Sequence, residues 1–366
     1  MRPARIAIVG TGNIARIHVA ALRSLAGQAE ITGCTDIDAA RLADFCAEHG
    51  VGQQAADLAG LLRQAQPDLV HLCTPPALHY EQALACLRAG VPVLAEKPPA
   101  LSLRELDVLA EAAGSQRPAP GGAGGPWFAT VFQHRFGSGA RRLRALASAG
   151  VFGRPLLALC HTTWFRDQAY FELPWRGRWE SEGGGPTMGH GIHQLDLLVS
   201  VLGEWAEVSA VARQQARRME TEDLSLAHVT FTSGAVASVV NSVLSPREES
   251  YLRFDFERAT VEVTHLYGYR DEDWRVTPAP GHQDVLAAWQ AGEAGTPSGH
   301  QAQFAEVLRC LLAGTPLPVT LPESRRTLAL TAGIYASAFT RRPVAPADLA
   351  PGSPFYSRMD GDGARW

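Results

Sequence analysis

The sequence predicts two unlike domains: an α/β domain on a doubly wound parallel sheet over residues 1–136, and an α+β domain on a mainly antiparallel open sheet over residues 137–366. Three observations predict it. Short apolar runs alternate with amphipathic stretches through the first third of the chain, as in a parallel sheet covered by helices. Beyond Phe136 longer runs alternate apolar with polar residues, as in an antiparallel sheet with one wet face. A length of 366 residues, 46% of them hydrophobic, is enough for two cores.

In the first domain, strands are expected at residues 6–9, 30–35, 69–73, 92–95 and 128–133, with helices between them. Residues 78–89 place Leu78, Ala83, Leu84 and Leu87 near one helical face, and Gly90 stands where a left-handed residue ends a helix. Residues 101–113 repeat the pattern, with Ser102 as N-cap and Glu105 at capping-box spacing. Residues 114–126 are rich in glycine and proline and are expected to form a flexible surface loop. In the second domain the expected strands are 156–164, 208–212, 224–232, 236–243 and 251–257. Helices at 139–149, 190–202, 300–313 and 322–340 would cover one face of that sheet.

Composition narrows the function. The 33 basic and 37 acidic side chains nearly balance, with a formal charge of -4, and no basic block marks a nucleic-acid surface. The apolar run at 5–9 is too short for a secretory core, and no stretch approaches the roughly 20 apolar residues of a membrane span. A soluble, cytoplasmic protein is expected. Cys34, Cys46, Cys73, Cys86, Cys160 and Cys310 form no CxxC pair, which suits reduced core thiols better than zinc or disulfides.

Gly10-Thr11-Gly12-Asn13-Ile14-Ala15 follows an apolar strand and opens a helical stretch, the context of a dinucleotide-binding Rossmann loop. Gly10 permits the tight turn, Gly12 lets the backbone approach phosphates, and Ala15 allows close helix packing. Asp36 ends the second strand, where a carboxylate accepts hydrogen bonds from a ribose diol and repels a 2'-phosphate. NAD is therefore favoured, and Arg41 nearby keeps NADP open. Without the strand and the acidic residue, the same glycines would mark only a turn.

A second peptide, Ala95-Glu96-Lys97-Pro98, ends a buried strand. With the glycine loop it is joined by Cys73-Thr74-Pro75-Pro76 and His79, by Gln133-His134-Arg135-Phe136, by Trp175-Arg176-Gly177, by Gly183-Gly184-Gly185, and by His193 and Asp196. In these motifs the chain resembles the Gfo/Idh/MocA oxidoreductases over nearly its whole length. The resemblance implies that Lys97 is the catalytic lysine and that Glu96 orients cofactor and lysine. An ammonium at that place stabilises a developing alkoxide or donates to a carbonyl. It further implies a cofactor site drawn from Gly10, Thr11, Gly12, Asn13, Ile14, Asp36, Arg41, Thr74, Pro75, His79, Glu96, Lys97, Gln133, Trp175 and Arg176. Substrate contacts would come from Lys97, Arg166, Tyr170, Arg176, His190 and His193.

The chain departs from the family at one point. The usual Asp-x-x-x-His falls on Gly189 and His193, so the histidine remains and the aspartate is absent. His193 is the candidate proton acceptor. His190, three residues earlier, is expected on the same helical face, and Asp196 one turn on could orient the helix or the ring. No metal is expected at His190, His193 and Asp196, since no cysteine or glutamate is placed by motif to complete a shell. The implied activity is hydride transfer between a hydroxyl carbon of a sugar or cyclitol and nicotinamide, in a homodimer or homotetramer. Two alternatives stay open: an NADP-dependent reductase of a small carbonyl or diol, and a non-catalytic nucleotide-binding redox sensor.

Overall fold

A computed structural model describes residues 2–25, 27–115, 127–364 and 366. The chain divides into two compact units. The first comprises Met1–Ala100, Glu105–Val131 and His300–Ser324; the second comprises Leu101–Arg104, Phe132–Gly299 and Arg325–Trp366.

The first unit is built on β1 (Ala4–Val9), β2 (Ala29–Thr35), β3 (Gln54–Ala55), β4 (Leu69–Leu72), β5 (Val93–Ala95) and β6 (Phe128–Thr130). The strand order is β3-β2-β1-β4-β5-β6 and every pairing is parallel. This is the doubly wound order of a Rossmann sheet. Its helices are α1 (Asn13–Ser24), α2 (Ala39–His49), α3 (Leu58–Ala65), α4 (His79–Arg88) and α5 (Leu103–Ser115). Asp38 caps α2 by accepting from the N–H groups of Ala40 and Arg41, and Gly50 closes that helix at φ +60. Gly90, at φ +77, follows α4 as expected. The strands carry almost no polar alternation because helices cover both faces. On one side Ile6, Leu69, Leu94 and Val131 pack with Leu22, Phe304, Val307 and Leu308. On the other, Ile8 and Cys34 pack with Val19, Phe45 and Cys46.

Three local expectations change here. The strand expected to reach Gln133 stops at Thr130, and Gln133–Phe136 forms a buried 3-10 turn. The short β3 was missed because two residues carry no periodicity. Gly114 lies inside α5, and residues 116–126 of the expected loop lie outside the described residues.

The second unit begins its regular structure with α6 (Ser138–Ser148) and β7 (Pro155–Phe165). There follow α7 (Trp179–Glu182), α8 (Pro186–Gly189), α9 (Ile192–Leu202), β8 (Trp205–Arg213), β9 (Leu224–Phe231), β10 (Val236–Ser242), β11 (Leu244–Phe256), β12 (Ala259–Thr264), β13 (Trp274–Pro278) and α10 (Asp284–Gln290). The strand order is β13-β12-β11-β7-β10-β9-β8. All pairings are antiparallel except β7 with β10, so the sheet is mixed but mainly antiparallel. Ser225, Ala227, Val229 and Phe231 of β9 turn inward while Leu226, His228 and Thr230 turn out. Helix α9 is buried over Ile192–Val199 and lies against β7 and β11.

The chain then forms α11 (His300–Ala313), α12 (Leu321–Thr340) and α13 (Pro354–Ser357). A single cut after residue 136 assigns α11 to the second domain. In the structure α11 lies against α1, with Phe304, Val307 and Leu308 in the first unit's core. All six cysteines are free and buried.

The glycine run Gly183-Gly184-Gly185 has a packing cause. A Cβ on Gly185 would stand 1.9 Å from the Glu222 carbonyl oxygen, and one on Gly184 would stand 2.1 Å from the Tyr335 hydroxyl. The Glu222 carboxylate accepts from the N–H groups of Gly185 and Thr187 at 2.9 and 3.0 Å and from the Tyr335 hydroxyl at 2.9 Å. A Cβ on Gly189 would meet nothing within 4 Å. Gly185→Ala is therefore expected to lower stability by about 3 kcal/mol, whereas Gly189→Ala should leave it within about 0.5 kcal/mol. Denaturant melts of the two variants against the parent check both values.

Candidate active site

The nucleotide end is built where β1 meets α1. Gly10 has φ +86, and a Cβ there would lie 2.9 Å from the Cys73 carbonyl oxygen, so neither the angle nor the space admits a side chain. Gly12 is the N-cap of α1, and a Cβ there would meet nothing within 4 Å. No side chain caps this terminus and its first turn carries no acidic residue. Its N–H groups and positive dipole end are thus left for an anion. Asn13 and Ile14 form the first helical positions, and Ala15 is fully buried.

Asp36 follows β2, as expected, but its carboxylate is already engaged. One oxygen accepts from Thr11 N–H at 2.7 Å and from Thr11 Oγ1 at 2.9 Å; the other accepts from Asp38 N–H at 2.9 Å. Arg41 grips both oxygens. Burial pushes the Asp36 carboxyl up, but Arg41, Asp38 and Thr11 outweigh it and hold it at about 2. Arg41, with a side chain 46% exposed, is the partner a ribose diol would displace. Beside this carboxylate Ile37 is 100% exposed, an apolar side chain with no neighbour to cover it. Sequence reasoning passed over Ile37. A dinucleotide fits these residues: an uncapped helix end, an open Gly12, and a carboxylate next to an apolar platform.

Glu96 and Lys97 lie directly after β5. Glu96 is 5% exposed and Lys97 is half-buried. The Lys97 backbone N–H donates to Glu96 Oε2 at 3.2 Å. His79, fully buried at the start of α4, faces the Pro98 carbonyl with Nδ1 at 2.8 Å and the Thr74 carbonyl with Nε2 at 2.9 Å. It therefore ties the turn carrying Thr74 and Pro75 to the Lys97-Pro98 turn. Thr74 Oγ1 donates to Gln82 Oε1 at 2.6 Å.

The second unit gathers the remaining predicted residues into a band of rings and guanidinium groups. His193, 3% exposed, stacks on His134 with ring centroids 5.0 Å apart, and Tyr267 meets it edge-on at 6.0 Å. Tyr267 also lies 6.3 Å from Trp164, and Trp164 lies 5.1 Å from His190. Tyr170 continues the band beside His190 at 6.1 Å. The Arg176 guanidinium is held 4.1 Å from the rings of both Tyr170 and Trp175, with an ion pair to Glu182 at 3.1 Å. Arg166 sits over Trp164 and Tyr170 and pairs with Glu248 at 2.9 Å. Gln133 Nε2 donates to the Tyr267 hydroxyl. Tyr267, Trp164 and His134 were not singled out from sequence as site residues, because segments far apart in the chain bring them together.

One expectation is corrected. His190 does not share a helical face with His193: it is the C-cap of α8, and α9 begins only at Ile192. The glycines at 189 and 191 break what periodicity reads as one helix. Asp196 points inward, where Arg135 holds it bidentately, one contact being 2.6 Å, and Thr327 Oγ1 donates to it at 3.0 Å. Its partner is an arginine from the 133–136 turn.

The pair Asp36–Arg41 has a pH signature. A carboxyl held at about 2 in the fold and near 3.9 when unfolded adds stability above pH ~4 that is lost as the pH falls toward 2. Arg41→Ala is expected to cost about 1 kcal/mol or less at neutral pH, given the exposed guanidinium. That difference should shrink toward zero in melts near pH ~2.

Residues 4–118 match the family described as the oxidoreductase family with an NAD-binding Rossmann fold (GFO_IDH_MocA), and residues 140–262 match the GFO/IDH/MocA C-terminal domain. The chain is 27% identical over 291 residues to D-glucoside 3-dehydrogenase of Escherichia coli (strain K12), covering 72% of this chain and 79% of that one. It is 30% identical over 240 residues to 1,5-anhydro-D-fructose reductase of Ensifer adhaerens, covering 64% and 67%. Among solved structures, the WlbA dehydrogenase of Chromobacterium violaceum, in complex with NADH and UDP-GlcNAcA, superposes with a TM-score of 0.81 at 28% identity, covering 94% of this chain and 96% of that one. With the glycine loop, the strand order and the Glu-Lys-Pro turn in place, the chain belongs to the Gfo/Idh/MocA family of NAD-binding oxidoreductases.

Proposed function

We propose that this oxidoreductase oxidises a secondary hydroxyl of a sugar or cyclitol, or reduces the matching ketone, with Lys97 and His193 acting on the reacting oxygen. The observation that carries the proposal is Glu96-Lys97-Pro98 at the carboxyl end of a Rossmann strand, where ligands of such sheets bind. Bound NAD supplies the hydride acceptor. Lys97 holds the reacting oxygen through its ammonium and stabilises the alkoxide as it forms. His193 takes the hydroxyl proton at a ring nitrogen. His190, Arg166, Tyr170 and Arg176 hydrogen-bond the other hydroxyls, and the faces of Trp164 and Tyr267 pack against ring C–H groups. The relatives support the substrate class, since their names point to a glucoside, an anhydro sugar and a nucleotide-linked sugar acid.

Lys97→Met is expected to lower kcat about 10²- to 10⁴-fold, the range for a positioned acid–base group, with NAD affinity nearly unchanged. The assay is nicotinamide absorbance across a panel of glucosides, anhydro sugars and inositols. Native turnover by the variant would sink the role of Lys97.

We also propose a homodimer or homotetramer in the cytoplasm. No described helix is long and apolar enough to cross a membrane, and the six free thiols suit a reducing compartment. The outward face of the second unit's sheet carries Val211, Leu226 and Val240 in register across β8, β9 and β10, with Leu157 and Val236 paired beside them. Val211, Leu226, Leu157 and Val236 are each more than 40% exposed, an apolar row suited to a second copy of the same face. Leu226→Asp should move the sedimentation coefficient toward the monomer. A native protein that already sediments as a monomer would overturn this assembly.

A further inference from the structure

Beneath Lys97 lies a group of buried titratable side chains that the reaction above does not use. His18 comes from α1, His71 from β4, Cys73 from the turn after it, Glu96 from the end of β5, and His300 from the start of α11. All five are under 10% exposed, within the first unit. His18 Nε2 and His300 Nε2 both meet Glu96 Oε1, at 3.0 and 3.2 Å. On its other ring nitrogen, His18 Nδ1 lies 3.0 Å from His71 Nδ1 and 3.3 Å from Cys73 Sγ. Phe304 seals the group edge-on against His18 and His71 at 4.8 and 4.9 Å.

The hydrogen positions follow from the chemistry. An ionised carboxylate only accepts, so both Nε2 atoms facing Glu96 carry hydrogens. In a neutral His18 the Nδ1 atom is then an acceptor, and His71 Nδ1–H and the Cys73 thiol donate to it. The donors run in one direction, toward Glu96, and the second carboxylate oxygen takes the Lys97 N–H at 3.2 Å. Burial pushes the Glu96 carboxyl up, but the hydrogen bonds from His18 and His300 outweigh it and hold Glu96 well below the usual carboxylate range. Burial likewise lowers His18 and His71, in keeping with neutral rings. Lys97 and His79 are the other titratable groups beside Glu96; the latter has a ring nitrogen near each of the Thr74 and Pro98 carbonyls, and burial lowers its pKa, so the neutral ring donates to one of them.

We propose that His18 and His300 are positioning residues for the reaction: by donating to one carboxylate oxygen they keep Glu96 ionised and fixed, and Glu96 in turn fixes the Lys97 backbone. The proposal rests on the role given to Lys97. It gives α1, the helix that opens at the glycine loop, a direct hydrogen bond to the turn that carries the lysine. It also explains why α11 packs on the first unit with a histidine as its first residue.

The test uses the whole enzyme with NAD and a substrate it turns over. His300→Ala removes one donor, so the Glu96 carboxylate is held less firmly and its grip on the Lys97 backbone N–H loosens. kcat should fall about tenfold or more, with the KM for the sugar and the Kd for NAD within about twofold of native. His300→Gln, whose amide can donate at nearly the same place, should restore kcat. His18→Gln supplies the same readout from the other donor if the alanine variant folds poorly. A His300→Ala enzyme with native kcat overturns the inference, as does a fall in kcat that His300→Gln does not reverse. Stoichiometric divalent metal in the purified enzyme also overturns it, because the three groups would then face a cation. Lys97→Met separates the two readings: normal turnover there defeats the lysine's role itself, whereas a dead Lys97→Met beside a native-like His300→Ala defeats only the positioning role.

Discussion

A carboxylate buried in a core is among the costlier groups a fold can hold unless donors surround it, and Glu96 is such a group. Its donors come from positions 18, 97 and 300, so the charge is tolerated only when two remote pieces of chain have reached the 96–97 turn. The rest of the first unit can be understood from this. Helix α1 must run close enough to β5 for His18 to reach; β1 and β4 must pair, so that His71 stands behind it. Helix α11 must return over the same sheet face. The site inherits this rigidity, because the residue after Glu96 is Lys97.

How far the sequence discloses the structure depends on how local each feature is. The glycine loop, Asp36 and Glu96-Lys97-Pro98 are short peptides whose meaning comes from the strand before them, and all are found where the sequence places them. The parallel order and the mainly antiparallel second sheet follow from periodicity. His18, His71 and His300 do not, because their convergence depends on tertiary packing, and a lone histidine in an apolar stretch carries no motif. Tyr267 lies in the loop after β12, a strand that was itself missed. His190 was misplaced for a local reason, since a glycine on each side ends one helix and starts another.

The second unit shows how a motif can be right for an unforeseen cause. Gly183-Gly184-Gly185 looks like a backbone kept bare for a ligand. Two of its three glycines instead face the Glu222 carbonyl and the Tyr335 hydroxyl, closer than any side chain allows. The bare backbone lets Glu222, deep in the unit, collect the N–H groups at the head of α8. Gly189 is the opposite case. A Cβ there would meet nothing within 4 Å, so the side chain absent there is missing for no steric reason.

The return of α11 has a consequence for how the chain is made. The first unit's core needs Phe304, Val307, Leu308 and Leu317, and Glu96 needs His300. The ribosome delivers β1 to β6 long before these residues emerge. A half-built sheet must therefore wait, with an apolar face and a poorly compensated acid exposed, while nearly the whole second unit is synthesised. Vectorial folding, in which an amino-terminal domain finishes before the next begins, is closed to this chain. Its nucleotide half becomes complete only after the intervening unit has been synthesised.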